Sequence, residues 1–312
     1  MDGILIIDKP EGITSHDVVA RCRRILRTKR IGHTGTLDPF ATGVMVILVG
    51  RATRLAQFLD RDAKEYEALV RFGFETDTGD RTGSPKSQVP SPKVQASGSK
   101  SVSVEEVEAV LPEFRGEIWQ TPPMYSAKKV DGKKLYELAR KGVEIERQPV
   151  KITNYELRIT NYDSEKKKNE LGLETWDLGL KVACSAGTYI RVLAEDIGKK
   201  IGVGAHLAEL RRTRAGKFGI ERSLTLEELE RAVAENSLDK NLISMNEAVS
   251  HLAEVKLSTA EAEKIKNGMK LKRTGDEFKD GEFLRLTEAG DLLAIGFYRG
   301  TEKDVQPKLV LV

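Results

Sequence analysis

The sequence predicts an α+β fold, built on a mixed but mainly antiparallel β-sheet with flanking helices and followed by a small mainly-β C-terminal unit. Three observations carry this prediction. Long strand-like segments are mixed with scattered helical patterns, without the regular alternation of a βαβ array. From about residue 250 the texture changes to short strand-like stretches around one helix. The 312 residues also suggest two domains, one large and one small. The boundaries expected are 1–248 and 249–312.

Taken in order, GILIID reads as a buried strand ending at the turn Asp8-Lys9-Pro10. Thr14 and Asp17 then resemble a helix start. Val18, Cys22, Ile25 and Leu26 recur at helical spacing and form one apolar stripe, with the arginines opposite. Residues 32–43 read as a loop, and VMVILVG after it as a continuous apolar strand. KEYEALVRFG alternates, placing Tyr66, Ala68, Val70 and Phe72 on one face. Residues 76–102, rich in Ser, Pro, Lys and Gly, suggest a flexible excursion with a disordered tip at 84–100.

Ser103 and Glu106 form a capping-box pattern before a short helix. VKITNYELRIT and TWDLGLKVACS are strand candidates joined by the polar turn YDSEKKKNE, and Cys184 shares an apolar face with Trp176, Leu178, Leu180 and Val182. A helix follows from SAGTYIRVLAEDIGKKIG. Thr225/Glu228 and Ser258/Glu261 announce two more helices, and EFLRLT, LLAIGFYRG and PKLVLV are the short strands of the C-terminal unit.

Composition narrows the function classes. The chain is 39% apolar and 32% charged, and it lacks the roughly 20-residue apolar stretch that spans a bilayer. MDGILIIDKP lacks the basic start and cleavage site of a secretory signal. Cys22 and Cys184 lie far apart, and His16, His33, His206 and His251 are scattered without a ligand pair. A cytoplasmic protein without membrane association or structural metal is expected. Net charge is only +3, yet positive charge is concentrated in RCRRILRTKR (21–30), in RRTRAGK (211–217) and at Lys128, Lys129, Lys133 and Lys134. Such clusters attract a phosphate backbone. Each could equally be a solvated helix face balanced by acids elsewhere.

Two stretches carry candidate chemistry. In GHTGTLDPFATG (32–43), the glycines permit unusual backbone conformations or close approach by a ligand. Asp38 precedes Pro39, which biases it towards extended backbone. No GK[ST] follows, so a phosphate-binding P-loop is excluded. Spacing by itself favours an Asp-Pro turn whose carboxylate caps neighbouring backbone. In CSAGTYIRVLAEDIG (184–198), a small-residue turn places Tyr189 and Arg191 at a helix start. The planar fork of Arg191 suits a carboxylate from another loop, either to join two segments or to keep a lone aspartate ionised and oriented.

The sequence closely resembles the bacterial tRNA pseudouridine synthase B (TruB) family. The likeness is carried by DKPEGITSHDVV, IGHTGTLDPFATGVMVI, KEYEALVRFGFETDTGD, IWQTPPMYSAKKVDGKKLYELARKG, CSAGTYIRVLAEDIG and GAHLAELRRTRAGKF, spread from residue 3 to about 218. Residues 250–312 match in size and position the family's small PUA-type RNA-binding domain. The resemblance implies a pseudouridine synthase catalytic domain that converts uridine 55 in the T-loop of tRNA to pseudouridine. The C1′–N1 bond breaks, the uracil turns over in the site, and C5 bonds to the same C1′. No cofactor is required, and no obligatory protein partner is implied.

Residue by residue, the resemblance makes Asp38 the catalytic carboxylate and Arg191 its partner. Tyr66 is expected to stack on the uracil and to take part in late proton transfer. It further implies that Tyr189 and Leu210 line the base pocket, that Lys9 lies at the rim, and that His33 occupies space vacated in the RNA loop. Two other classes share some of these features. A non-catalytic RNA-binding module or chaperone would carry the same basic clusters. A nucleoside glycosidase would also use carboxylates, but it needs an activated water, and no second carboxylate has a clear catalytic setting.

Overall fold

The computed structural model describes residues 1–86, 102–126, 129–130, 132–139, 141–168, 174–273 and 278–311. Among them, nine strands make one sheet. In chain order these are β1 (Gly3–Lys9), β2 (Ile31–Thr34), β3 (Thr42–Val49), β4 (Lys64–Phe72), β5 (Gly116–Gln120), β6 (Val150–Lys168), β7 (Glu174–Cys184) and β8 (Ala205–Ala215). The two-residue strand Phe218–Gly219 adds to β8. Across the sheet the order is β1-β3-β8-β4-β7-β6-β5, with β2 on β3. Every pairing is antiparallel except the short one between β8 and β3.

The sequence patterns explain the layers. β1 and β3 are buried almost throughout, so neither alternates. β4 does alternate, and Tyr66, Ala68, Val70 and Phe72 face a core shared with Leu178, Leu180, Val182 and Cys184 of β7. Helix α1 (Ser15–Ile25) starts at the Thr14/Asp17 capping box and buries Val18 and Cys22. Helix α2 (Val104–Val110) starts at the Ser103/Glu106 box. Helix α3 (Ile190–Ile201) lays Ile190, Leu193, Ala194 and Ile197 on the core below β4 and β7. Helix α4 (Leu226–Ala234) packs Leu226 and Leu229 beside α1, against Leu5, Ile7 and Ile47.

The C-terminal unit is a second sheet, in the order β9-β11-β12-β13-β10. Its strands are β9 (Ala253–Lys256), β10 (Leu271–Lys272), β11 (Phe283–Glu288), β12 (Asp291–Arg299) and β13 (Asp304–Val310). Helix α5 (Thr259–Lys266) covers one face with Ala262 and Ile265. The unit is not merely tethered. Leu292, Ile295, Leu309 and Leu311 share a core with Ile4, Val44, Val46 and Leu55. Arg51 also donates to the Leu311 carbonyl at 2.7 Å.

Three expectations change. Gly32, His33 and Thr34 belong to β2 and pair with β3, so the loop proper is residues 35–41. The polar run expected as a turn after Ile159–Thr160 instead continues β6 to Lys168, in a hairpin with β7. Opposite charges across the hairpin hold it there, Lys167 lying 3.5 Å from Asp177 and Arg71 bonding that carboxylate twice. Residues 76–86 are a built turn rather than the start of an excursion. Thr76 Oγ1 donates to the Asp80 carbonyl at 2.7 Å, and the Lys86 N–H to the Glu75 carbonyl at 2.9 Å. The remainder of the 84–100 excursion lies outside the described residues, as do Lys128 and the side chains of Lys129, Lys133 and Lys134.

Candidate active site

β3 shares one of its edges between two strands, β2 at Val46–Val49 and β8 at Thr42–Gly43. The loop 35–41 arrives where these meet, and it is tied down at several points. Ser15 Oγ accepts from the Leu37 N–H at 2.9 Å and donates to its carbonyl at 3.1 Å. The Gly12 N–H donates to the Pro39 carbonyl at 2.9 Å. Gly43, with φ +101°, lets the loop backbone close onto β8, since a Cβ there would lie 2.2 Å from the Arg212 carbonyl oxygen.

This loop presents Asp38 to Arg191. Arg191 stands in the first turn of α3, whose entry is fixed by Gln120. The Tyr189 N–H donates to Gln120 Oε1 at 2.8 Å, and Gln120 Nε2 donates back to the Tyr189 carbonyl at 3.1 Å. Arg191 Nε lies 2.9 Å from Asp38 Oδ2, and Nη2 lies 3.4 Å from Oδ1. The same guanidinium donates to the carbonyls of Thr78 and Tyr125, each at 2.7 Å, and approaches Asp80 to 3.7 Å. The Arg191 side chain is 5% exposed and that of Asp38 36%, so the arginine is structural backing and the carboxylate the reachable partner.

Burial pushes the Asp38 carboxyl above its usual value. The charge of Arg191 opposes this rise, and that of Asp80 adds to it. Asp80 is a second carboxylate nearby, but its Oδ1 accepts from Thr78 Oγ1 and from the N–H and hydroxyl of Thr82. It braces the turn behind Arg191 and does not line the pocket.

In front of Asp38 lies a cavity of about 260 Å³ lined by Asp38, Tyr66, Tyr189, Arg191, Leu210 and Arg212, among others. That is just below the roughly 300–1,000 Å³ of sites for whole small molecules, and it suits one part of a larger ligand. Tyr66 sits on β4 directly opposite Arg212 of β8, and both line the cavity. Burial raises the phenol's pKa, and the arginine's charge pulls it back. Five of the residues singled out in the sequence, Asp38, Tyr66, Tyr189, Arg191 and Leu210, therefore meet in one cavity. An oriented carboxyl group faces a phenol across a space bounded by a leucine and a tyrosine.

The other two do not line it. Lys9 is not at a rim; it is fully buried, and its ammonium donates to the carbonyls of Pro10, Pro39 and Ala41 at 3.0, 3.1 and 2.6 Å. It holds the Asp38 loop from beneath. Desolvation lowers its pKa to about 8, with Asp38 acting in the opposite direction. His33 stands on β2 with its ring edge-on to His16, centroids 6.0 Å apart, and its buried Nδ1 has no protein partner.

Sequence reasoning missed Arg212, which it placed in a surface cluster. In fact Arg212 is 1% exposed, Arg211 pairs with Asp8 at 2.6 Å, and Arg214 lies 3.2 Å from Glu65. The two-residue alternation along β8 signals this, because Leu210 and Arg212 share a face. The alternation in sequence is masked by the arginines themselves.

Residues 23–190 match the model of the TruB family pseudouridylate synthase N-terminal domain, and residues 191–250 that of the tRNA pseudouridylate synthase B C-terminal domain. The chain belongs to the TruB family. It is 44% identical over 298 residues to the tRNA pseudouridine synthase B of Solibacter usitatus (strain Ellin6076), covering 95% of each chain. The corresponding protein of Geobacillus thermodenitrificans (strain NG80-2) is 43% identical over 296 residues, covering 95% of this chain and 94% of the other. Among solved structures, a chain of an H/ACA RNP bound to a substrate RNA containing 2′-deoxyuridine superimposes with a TM-score of 0.73. It is 26% identical, and the match covers 99% of this chain and 85% of that one. The α+β architecture and its C-terminal strand unit are thus those of pseudouridine synthases, and Asp38 and Arg191 lie in the stretches that carry the TruB likeness.

Proposed function

We propose that this TruB chain isomerises uridine 55 in the T-loop of tRNA to pseudouridine, with Asp38 as its catalytic carboxylate. The observation that carries the reading is the Arg191–Asp38 pair at the wall of a cavity sized for part of a larger ligand. A uridine stacked in an RNA loop has to leave the stack to enter such a cavity. Tyr66 and Leu210 then offer the flat and apolar surfaces that hold a uracil while it turns. Arg191 orients Asp38 and opposes the desolvation that favours its protonated form. Lys9 fixes the loop that carries it.

The C-terminal strand unit acts as a PUA-like RNA-binding domain, and the division into 1–248 and 249–312 belongs to the same proposal. Names of the curated relatives support tRNA as the substrate, and the RNA-bound structural relative supports an RNA ligand. The test is incubation of the protein with unmodified tRNA transcript, followed by mapping of the product. Pseudouridine at position 55 is the expected result. Free uracil instead would identify a glycosidase, pseudouridine at another position would refute the T-loop assignment, and no product would leave only an RNA-binding role.

A further inference from the structure

Arg212 is a buried cation that the chemistry assigned so far does not use. Its side chain crosses the floor of the site, where Nε donates to the Val44 carbonyl at 2.7 Å and Nη2 to the Gly35 carbonyl at 2.9 Å. Directly across the strand pair from it stands Tyr66, which lines the same cavity. Arg212 thus ties the start of the Asp38 loop to the strand that follows it, beside the pocket tyrosine. A Cβ at Gly35 would come within 3.2 Å of Nη1, so the residue capping the guanidinium has no side chain. Among the described residues no carboxylate pairs with it, although it is only 1% exposed. A buried guanidinium without a counter-ion is costly, and its remaining electrostatic reach is towards the cavity it lines. Lys64, 6% exposed and held by the carbonyls of Asp60 and Asp62, lines the same side.

The proposed reaction creates an anion there. When the C1′–N1 bond breaks, its electron pair stays with N1, and the detached uracil carries one negative charge shared with its carbonyl oxygens. C5 then bonds to C1′ and gives up its proton, and N1 gains one, so the product is an isomer of the substrate. We propose that Arg212 stabilises this transient uracil anion while positioning Tyr66 and the Asp38 loop, through one guanidinium that serves both tasks. The inference rests on the synthase reading above. Preorganised charge where negative charge develops is the usual means of lowering such a barrier. The same cation draws down the phenol of Tyr66, which burial would otherwise raise further.

The test compares single-turnover glycosidic cleavage by wild type, Arg212→Gln and Arg212→Lys on tRNA carrying either uridine or 5-fluorouridine at the target position. Fluorine withdraws electron density and stabilises the departing anion by itself. Arg212→Gln should slow the uridine substrate on the order of 100-fold, with tRNA affinity preserved, and should slow the fluorinated one about tenfold less. A lysine keeps a charge but cannot span Val44, Gly35 and Tyr66. Arg212→Lys should therefore show the same pattern at reduced size, and it carries the test where the glutamine protein does not fold. Equal losses on both substrates, or wild-type rates in the lysine variant, overturn the inference. Wild type that makes no pseudouridine refutes the synthase reading instead.

Discussion

The guanidinium of Arg191 meets the carboxylate of Asp38 with two nitrogens, Nε to Oδ2 at 2.9 Å and Nη2 to Oδ1 at 3.4 Å, while donating to the backbone of Thr78 and Tyr125. One buried side chain thereby joins the Asp38 loop, the 76–86 turn, the segment after β5 and helix α3. Orientation of the carboxylate and assembly of the pocket wall depend on the same arginine.

Arg191→Lys should therefore reduce turnover more than tRNA affinity, on the order of 100-fold, because an ammonium cannot reproduce the planar fork. The variant should also lose about 1–3 kcal/mol of stability, since buried carbonyls are left without donors. Single-turnover kinetics, tRNA binding and urea unfolding read these separately. Weakened binding with unchanged turnover would make Arg191 a phosphate ligand.

Asp38→Asn should abolish pseudouridine formation and leave tRNA affinity within several-fold of wild type. Its stability relative to wild type should also rise with pH. The folded-state pKa of Asp38 lies above its ordinary 3.8, so the folded protein holds that proton more tightly than the unfolded chain. Stability then falls as pH rises from about 3.8 through the raised value, and asparagine removes that pH dependence. Thermal melts of the two proteins from about pH 3.8 upward check the sign; a difference that does not shift in favour of Asp38→Asn as pH rises contradicts it.

Lys9 supplies the opposite pH signature. Its pKa falls from 10.5 to about 8 on folding, so between those values the unfolded chain binds more protons and stability rises with pH. In the difference between wild type and Lys9→Met, measured by urea unfolding from pH 7 to 10.5, that rise should appear as a Lys9 contribution. The variant should also lose turnover, because the carbonyls of Pro39 and Ala41 no longer share a donor. A flat difference curve with wild-type turnover counts against a loop-holding role.

Affinity for tRNA should depend on the exposed basic residues of 21–30 and not on 211–217. Among the described residues, Arg21, Arg24, Arg27, Lys29 and Arg30 are exposed without an ion pair, whereas Arg211 and Arg214 are paired with acids. Replacing Arg24 and Arg27 by alanine should flatten the log–log salt dependence by about 0.7–0.9 for each phosphate that is no longer neutralised. Arg214→Ala should leave the slope unchanged. Equal slopes for all these proteins would place the phosphate-binding residues elsewhere.

Removal of residues 250–312 should weaken tRNA binding and lower the melting temperature. The temperature falls because Leu292, Ile295, Leu309 and Leu311 are part of the core that buries Ile4 and Val44. Apolar surface uncovered by the cut costs on the order of 25 cal/mol per Å². Protein that remains folded should still act at saturating tRNA, since Asp38, Tyr66, Tyr189 and Arg191 all precede the cut. Unchanged tRNA affinity in the folded truncation denies the unit an RNA-binding role.

Most helix starts, the apolar faces of the central strands and the Asp38–Arg191 half of the site were legible in the amino-acid order, whereas β2 and the length of β6 were not. Capping boxes at Thr14, Ser103, Thr225 and Ser258 mark helix starts through bonds three residues long, and the alternation of β4 reports which face is apolar. Motif likeness pointed to Asp38 and Arg191, and the fold brings them together. What each buried charge does emerges from contacts between distant parts of the chain. Lys9 resembles a strand-end lysine at a rim until Pro39 and Ala41, some thirty residues away, fold over it and their carbonyls accept its hydrogen bonds. Arg212 looks like one of the basic residues in RRTR until the pleat of β8 turns it inward, onto Tyr66, Gly35 and Val44. Apolar periodicity is local, because water is excluded from a whole face at once. A charge is buried only where distant backbone or opposite charge replaces its water, and that replacement exists only after the chain has closed.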